Sequence, residues 1–82
     1  MNILEAEDPL KIEARTSKYH RKTNIIYSIV ELYHNLCIDK QQLLFAQIKA
    51  CENLSRQTID LNDISAIHTE IVKLKRALAL LN

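Results

Sequence analysis

Six apolar residues near the C-terminus, Ile64, Ile67, Ile71, Leu74, Leu78 and Leu81, fall at alternating spacings of three and four. That is the narrow a/d seam of a helix packed on another helix, and it predicts a helix over residues 63–81. Asp60 and Asp63 at its start and Lys73, Lys75 and Arg76 towards its end suit the helix dipole. Just upstream, Thr58, Asp60, Asn62 and Asp63 crowd together, and each of these side chains competes for backbone donors, so residues 55–62 read as a turn. Before the turn two apolar stripes run side by side. One is Ile26, Val30, Tyr33, Cys37, Leu44, Ile48 and Cys51, interrupted by Lys40; the other is Ile25, Ile29, Leu32, Leu36 and Leu43. Both fit helical spacing and predict one long helix over residues 23–54. Asp39 followed by Gln42 has the form of a capping box, which would start a fresh helix after a kink near residues 38–40; the unbroken helix is the preferred reading. At the other end, Asp8 and Pro9 suit a helix N-cap and first helical position. Residues 10–22 then offer only Leu10, Ile12, Ala14 and Tyr19 as apolar positions, so residues 1–22 read as a weakly helical or partly ordered arm.

The expected fold class is therefore all-α: one domain, residues 1–82, built as an antiparallel helical hairpin with an N-terminal arm. The chain contains no glycine and a single proline, so the usual residues of sheet turns are missing. Folding back would bury the seam residues Ile64, Ile67, Ile71, Leu74, Leu78 and Leu81 as the hairpin core, against the stripe Ile26–Cys51. The second stripe, Ile25, Ile29, Leu32, Leu36 and Leu43, is then left over. Two helices cannot enclose a third apolar face, so this stripe is the expected partner interface. The alternative is that Leu10, Ile12 and Ala14 fold back over it. At 82 residues the core is small, because a chain near this size buries only roughly 60 % of its unfolded surface.

Charge and chemistry narrow the function by exclusion. Eleven basic and ten acidic residues leave a net charge of +1, too little for a global field that attracts nucleic acid or anionic lipid. Lys18, His20, Arg21 and Lys22, with Arg15 and Lys11 upstream and Tyr19 among them, form a local basic cluster, but Glu5, Glu7, Asp8 and Glu13 lie close by. Nucleic acid is not an expected partner. His34 and Cys37 have a metal-ligand spacing but lack two further ligands with paired spacing, so neither metal nor cofactor is expected. Asp63, Ser65 and His68 have the residue types of a catalytic triad, but all lie within two turns of one helix. No glycine is present for a phosphate loop or an oxyanion turn, and an enzyme is not expected. Cys37 and Cys51 on one helix would stand roughly 21 Å apart, far beyond the ~7 Å a disulfide allows. Unbridged thiols, the absence of a signal-peptide pattern and apolar runs too short to span a bilayer together point to the cytoplasm.

Three short pieces carry a family likeness: Leu4-Glu5; Gln41-Gln42-Leu43 with Ala46; and Leu74 with Ala77-Leu78-Ala79-Leu80-Leu81. In these the chain resembles the small needle-chaperone subunits of type III secretion systems, which are short helical hairpins. The likeness covers roughly the second half of the chain and the extreme N-terminus. It departs from the family in extra residues from about Asp8 to Leu36 and in a turn without glycine. What the resemblance implies is a non-enzymatic cytosolic co-chaperone that holds a helical secretion-apparatus subunit or its larger helical-repeat chaperone. The other expectation is a self-associating helical bundle, dimer or tetramer, acting as a small regulatory protein, with nucleic-acid binding as one variant of that role.

Overall fold

A computed structural model describes residues 10–32 and 39–81, and its element order is β1 (Leu10–Tyr19), β2 (Lys22–Leu32), α1 (Lys40–Gln57) and α2 (Leu61–Leu81). The fold is α+β, and the all-α expectation is overturned. The N-terminal arm is a strand. In β1, Leu10, Ile12 and Ala14 are buried while Lys11, Glu13 and Arg15 are exposed. This is the period of two that a half-buried strand imposes, and it is why these positions form no helical face. The first part of the expected 23–54 helix is also a strand. Six of the eleven residues of β2 are β-branched or aromatic (Thr23, Ile25, Ile26, Tyr27, Ile29 and Val30), and such side chains pack well on a pleated surface.

β1 and β2 pair as an antiparallel hairpin, from Tyr19↔Lys22 at the turn to Leu10↔Leu32 at the open end. The register slips between Lys11 and Ile12, where Lys11 faces Glu31 and Ile12 faces Ile29, so Val30 is the extra residue of a β-bulge. The turn residues His20 and Arg21 have φ of 53° and 64°. Positive φ at both central positions is the geometry of a type I′ hairpin turn, which matches the twist of the strands and normally recruits Asn-Gly. Here it is made without glycine, at a steric cost of about 1–2 kcal/mol per residue.

The helix α1 starts at Lys40, not at residue 23. Asp39 accepts from the Gln42 backbone N–H at 2.7 Å, and the Gln42 side chain accepts from the Asp39 N–H at 3.2 Å, a complete capping box. At its far end Thr58 Oγ1 donates to the Leu54 carbonyl at 2.7 Å. Asp60 then caps α2, its carboxylate accepting from the N–H groups of Asn62 and Asp63 at 2.8 and 3.2 Å. The connection between the helices is residues 58–60, inside the expected turn.

One core joins the four elements. Leu10, Ile12 and Ala14 of β1 cluster with Leu44, Ala46, Ile48, Ala50 and Cys51 of α1 and with Ile67 and Leu74 of α2. Ala46 and Ala50 border the same groove as Leu10 and Ile12, and their small side chains let the strand lie close on the helix. Of the expected hairpin core, Ile67 is fully buried and Leu74 nearly so, and Ile71 and Leu78 pack partly buried against them. Ile64 is half-buried, and Leu81 is 45 % exposed. Asp8, Pro9, Leu4, Glu5, His34, Leu36 and Cys37 lie outside the described residues, as does the side chain of Leu32.

Two changes test this packing. Ile67→Ala should destabilise the chain by about 2–5 kcal/mol in chemical denaturation, as a methyl-rich side chain leaves a cavity at the junction of sheet and helices. Arg21→Gly should stabilise it by about 1 kcal/mol, since glycine adopts φ near 64° without a Cβ clash and recovers more than its entropic cost.

Candidate functional site

Three groups of polar or exposed side chains stand out, and the elements position each differently. The first is internal. Tyr27 projects from β2 between the helices, where its hydroxyl donates to Glu70 Oε2 of α2 at 2.6 Å and lies 3.3 Å from the Sγ of Cys51 on α1. Glu70 Oε1 is 3.9 Å from Lys73 Nζ on the solvent side. Burial, first, and the neighbouring Cys51 and Glu70 push the Tyr27 ionisation far above its ordinary range. Burial likewise raises the Cys51 thiol, with the charges of Glu70 and Glu52 adding to it and the Tyr27 hydrogen bond opposing it. A fully buried thiol held neutral is a poor nucleophile, so this relay is a clamp between three elements rather than reactive chemistry.

The second group ties the hairpin tip to α2. Thr23 Oγ1 donates to Asp63 Oδ1 at 3.2 Å, and Lys18 Nζ lies 3.4 Å from the same oxygen. Asp63 is in the first turn of α2, where a carboxylate also suits the dipole. Beyond it the tip carries His20, Arg21 and Lys22, all exposed, and Tyr19, 57 % exposed, with its ring 4.1 Å from that of His20. The basic cluster therefore sits on a strand turn, not on a helix, and Lys18 already has a carboxylate partner.

The third group is the surface of β2. Residues 23–30, Thr-Asn-Ile-Ile-Tyr-Ser-Ile-Val, contain no charge, proline or glycine. Ile26 is 50 %, Ile29 62 % and Val30 46 % exposed. In a hairpin closed by a two-residue turn, the flanking pair exchanges both backbone hydrogen bonds, and such pairs then alternate along the ladder. Asn24, Ile26 and Ser28 thus bond to β1, whereas the N–H and C=O groups of Thr23, Ile25 and Tyr27 point away from it. Among the described residues no strand meets them. The opposite edge differs. A shallow groove of about 380 Å³ runs between β1 and α1, bordered by Lys11, Glu13, Arg15, Ala50, Asn53 and Gln57. Charges line that edge and guard it.

The expected partner stripe does not form as a helical face. Ile25 lies partly buried against the core, Ile29 is exposed on the same strand, and Leu43, on a different element, is 37 % exposed in the first turn of α1. Sequence reasoning missed Ile26 and Val30 as the exposed pair, although the strand period would have separated them from Ile25 and Tyr27. Asp63, Ser65 and His68 of the suggested triad do not converge: Asp63 is engaged by Thr23 and Lys18, and His68 and Ser65 are exposed on α2. Among the described residues no group of His, Cys, Asp and Glu is placed to hold a metal ion, and no helix is long and apolar enough to cross a membrane. No family model matches the sequence, and no curated protein or solved structure is significantly similar to it.

The clamp has a pH signature. Tyr27 ionises near pH 10 when unfolded but much higher when folded, so the unfolded state loses its proton first. Stability should hold below pH 10 and fall above it, by at most about 1.4 kcal/mol per pH unit for this group. Urea titrations from pH 8 to 11 should show this slope, and Tyr27→Phe should remove its share while lowering stability at neutral pH.

Proposed function

We propose that this chain is a non-enzymatic protein-interaction module whose binding element is β2, acting by strand addition. The observation that carries the reading is the uncharged run 23–30 on a strand whose outer edge meets no other strand among the described residues. Unpaired strand edges template pairing with another chain, and proteins that avoid this place charges, prolines or short strands there. β1 has such charges along its length, whereas β2 carries them only at its ends, Lys22 and Glu31. A two-stranded sheet is also marginal by itself, and a third strand adds backbone hydrogen bonds and cross-strand contacts for Ile26 and Val30.

The chemistry of these side chains supports a binding role over a reaction. The Cys51 thiol is buried and neutral, and the polar groups around it are spent on each other. At the hairpin tip Asp63 neutralises Lys18, which thins the basic cluster and favours a protein over a nucleic acid as partner. A secretion co-chaperone, as the sequence resemblance implies, would be one form of such a module, with β2 and the adjoining helices receiving a segment of another chain.

The double variant Ile26→Lys, Val30→Lys tests the reading in the cell of origin. Both residues are about half exposed, so circular dichroism should be unchanged. The wild-type chain in gentle native extracts should sediment in an assembly well above its 9.5 kDa, and the variant should sediment as a monomer. A wild-type chain that is itself monomeric in those extracts would overturn the proposal.

A further inference from the structure

We infer that the chain occupying the β2 edge is a second copy of this protein, paired antiparallel through β2 about a twofold axis at Ile26. The inference rests on the strand-addition reading above and supplies its partner. Three features of β2 favour a copy of itself over a foreign segment.

The first is hydrogen-bond register. Thr23, Ile25, Tyr27 and, by the same alternation, Ile29 turn their backbone groups to the outer edge, and the midpoint of this run is Ile26. An antiparallel pairing centred there sets Ile25 opposite Tyr27 of the other copy and Thr23 opposite Ile29. All four outward-facing residues of each copy then find outward-facing counterparts. The strand is self-complementary, which a twofold interface requires.

The second feature is charge. The uncharged run is bounded by Arg21 and Lys22 on one side and by Glu31 on the other. Antiparallel pairing brings the basic end of each strand to the acidic end of its mate, twice per dimer. Parallel pairing would put basic end on basic end. Opposite charges across strands stabilise a pair and like charges oppose it, so the flanks select the antiparallel arrangement.

The third is the exposed apolar surface. Ile26 meets its own counterpart across the axis in a non-hydrogen-bonded position, the closer of the two antiparallel spacings. Ile29, left 62 % exposed beside the buried Ile12, gains the strand of the other copy as a neighbour. The result is a four-stranded sheet, order β1-β2-β2-β1, with the charged β1 strands at both outer edges. That is the arrangement that stops further growth.

The test uses the purified full-length chain alone and two opposite charges at one position. Sedimentation equilibrium of the wild type should give twice the chain mass of 9.5 kDa. Ile26→Lys and Ile26→Glu should each be monomeric, because like charges then face each other across the axis. Mixing the two variants should restore a dimer, which misfolded proteins would not do. A wild-type dimer indifferent to both substitutions would overturn the inference and place the interface elsewhere. A monomeric wild type would also overturn it; if native extracts still hold an Ile26-dependent assembly, strand addition stands with a foreign partner.

Discussion

The structure depends on burying one face of a sheet that is too small to stand alone. A two-stranded hairpin has few cross-strand contacts and gains stability only by packing on something else. Here Leu10, Ile12 and Ala14 supply the face, and α1 and α2 supply the cover. The pairing of the helices would be weaker without the strand that fills the space over Ala46 and Ala50. Polar groups then fix the docking geometry. The Tyr27 hydroxyl reaches both helices at once, and Asp63 holds the hairpin tip through Thr23 and Lys18. A buried phenol with its hydrogen bonds satisfied costs little, whereas one with a missing partner would penalise every alternative packing.

The second half of the chain was legible in the sequence and the first half was not, for physical reasons. The α2 seam is long enough to fix its period, and Ile67 and Leu74 are buried as that seam requires. Thr58 and Asp60 marked the turn, and Asp39 with Gln42 marked the start of a helix, a signal outweighed by the apparent continuity of the stripes. That continuity was a coincidence of spacing. Ile25 with Ile29 and Ile26 with Val30 are four apart, which satisfies both a helix face and, as an even number, one side of a strand. β-branching was the arbiter: Ile, Ile, Ile, Val and Thr in eight residues favour a pleated surface over a helix. The hairpin was further hidden because its turn lacks Asn-Gly and forces His20 and Arg21 into the left-handed region.

The candidate site was legible as a composition but not as a geometry. An excess of apolar residues between Ile25 and Leu32 signalled a face that stays exposed among the described residues. Which residues form that face follows from the strand period and the bulge at Val30, neither of which a helical reading contains. Ile25 and Tyr27 turn inward, while Ile26 and Val30 remain outside. The same bulge shifts the register at the open end and twists the strand there, which sets how far the uncharged run can extend as a regular edge.

The ties between hairpin and helices join residues far apart in the chain: Thr23 to Asp63 across 40 positions and Tyr27 to Glu70 across 43. The helices, by contrast, are linked by residues 58–60, so their contacts nearest that turn have small sequence separation. Closing a long loop costs more entropy than closing a short one and is repaid only when its contacts form. Helix pairing is thus the expected early event in folding, and hairpin docking the expected late one. Loss of the Tyr27 hydroxyl would then speed unfolding while leaving the folding rate nearly unchanged, so the clamp acts chiefly on the lifetime of the folded chain.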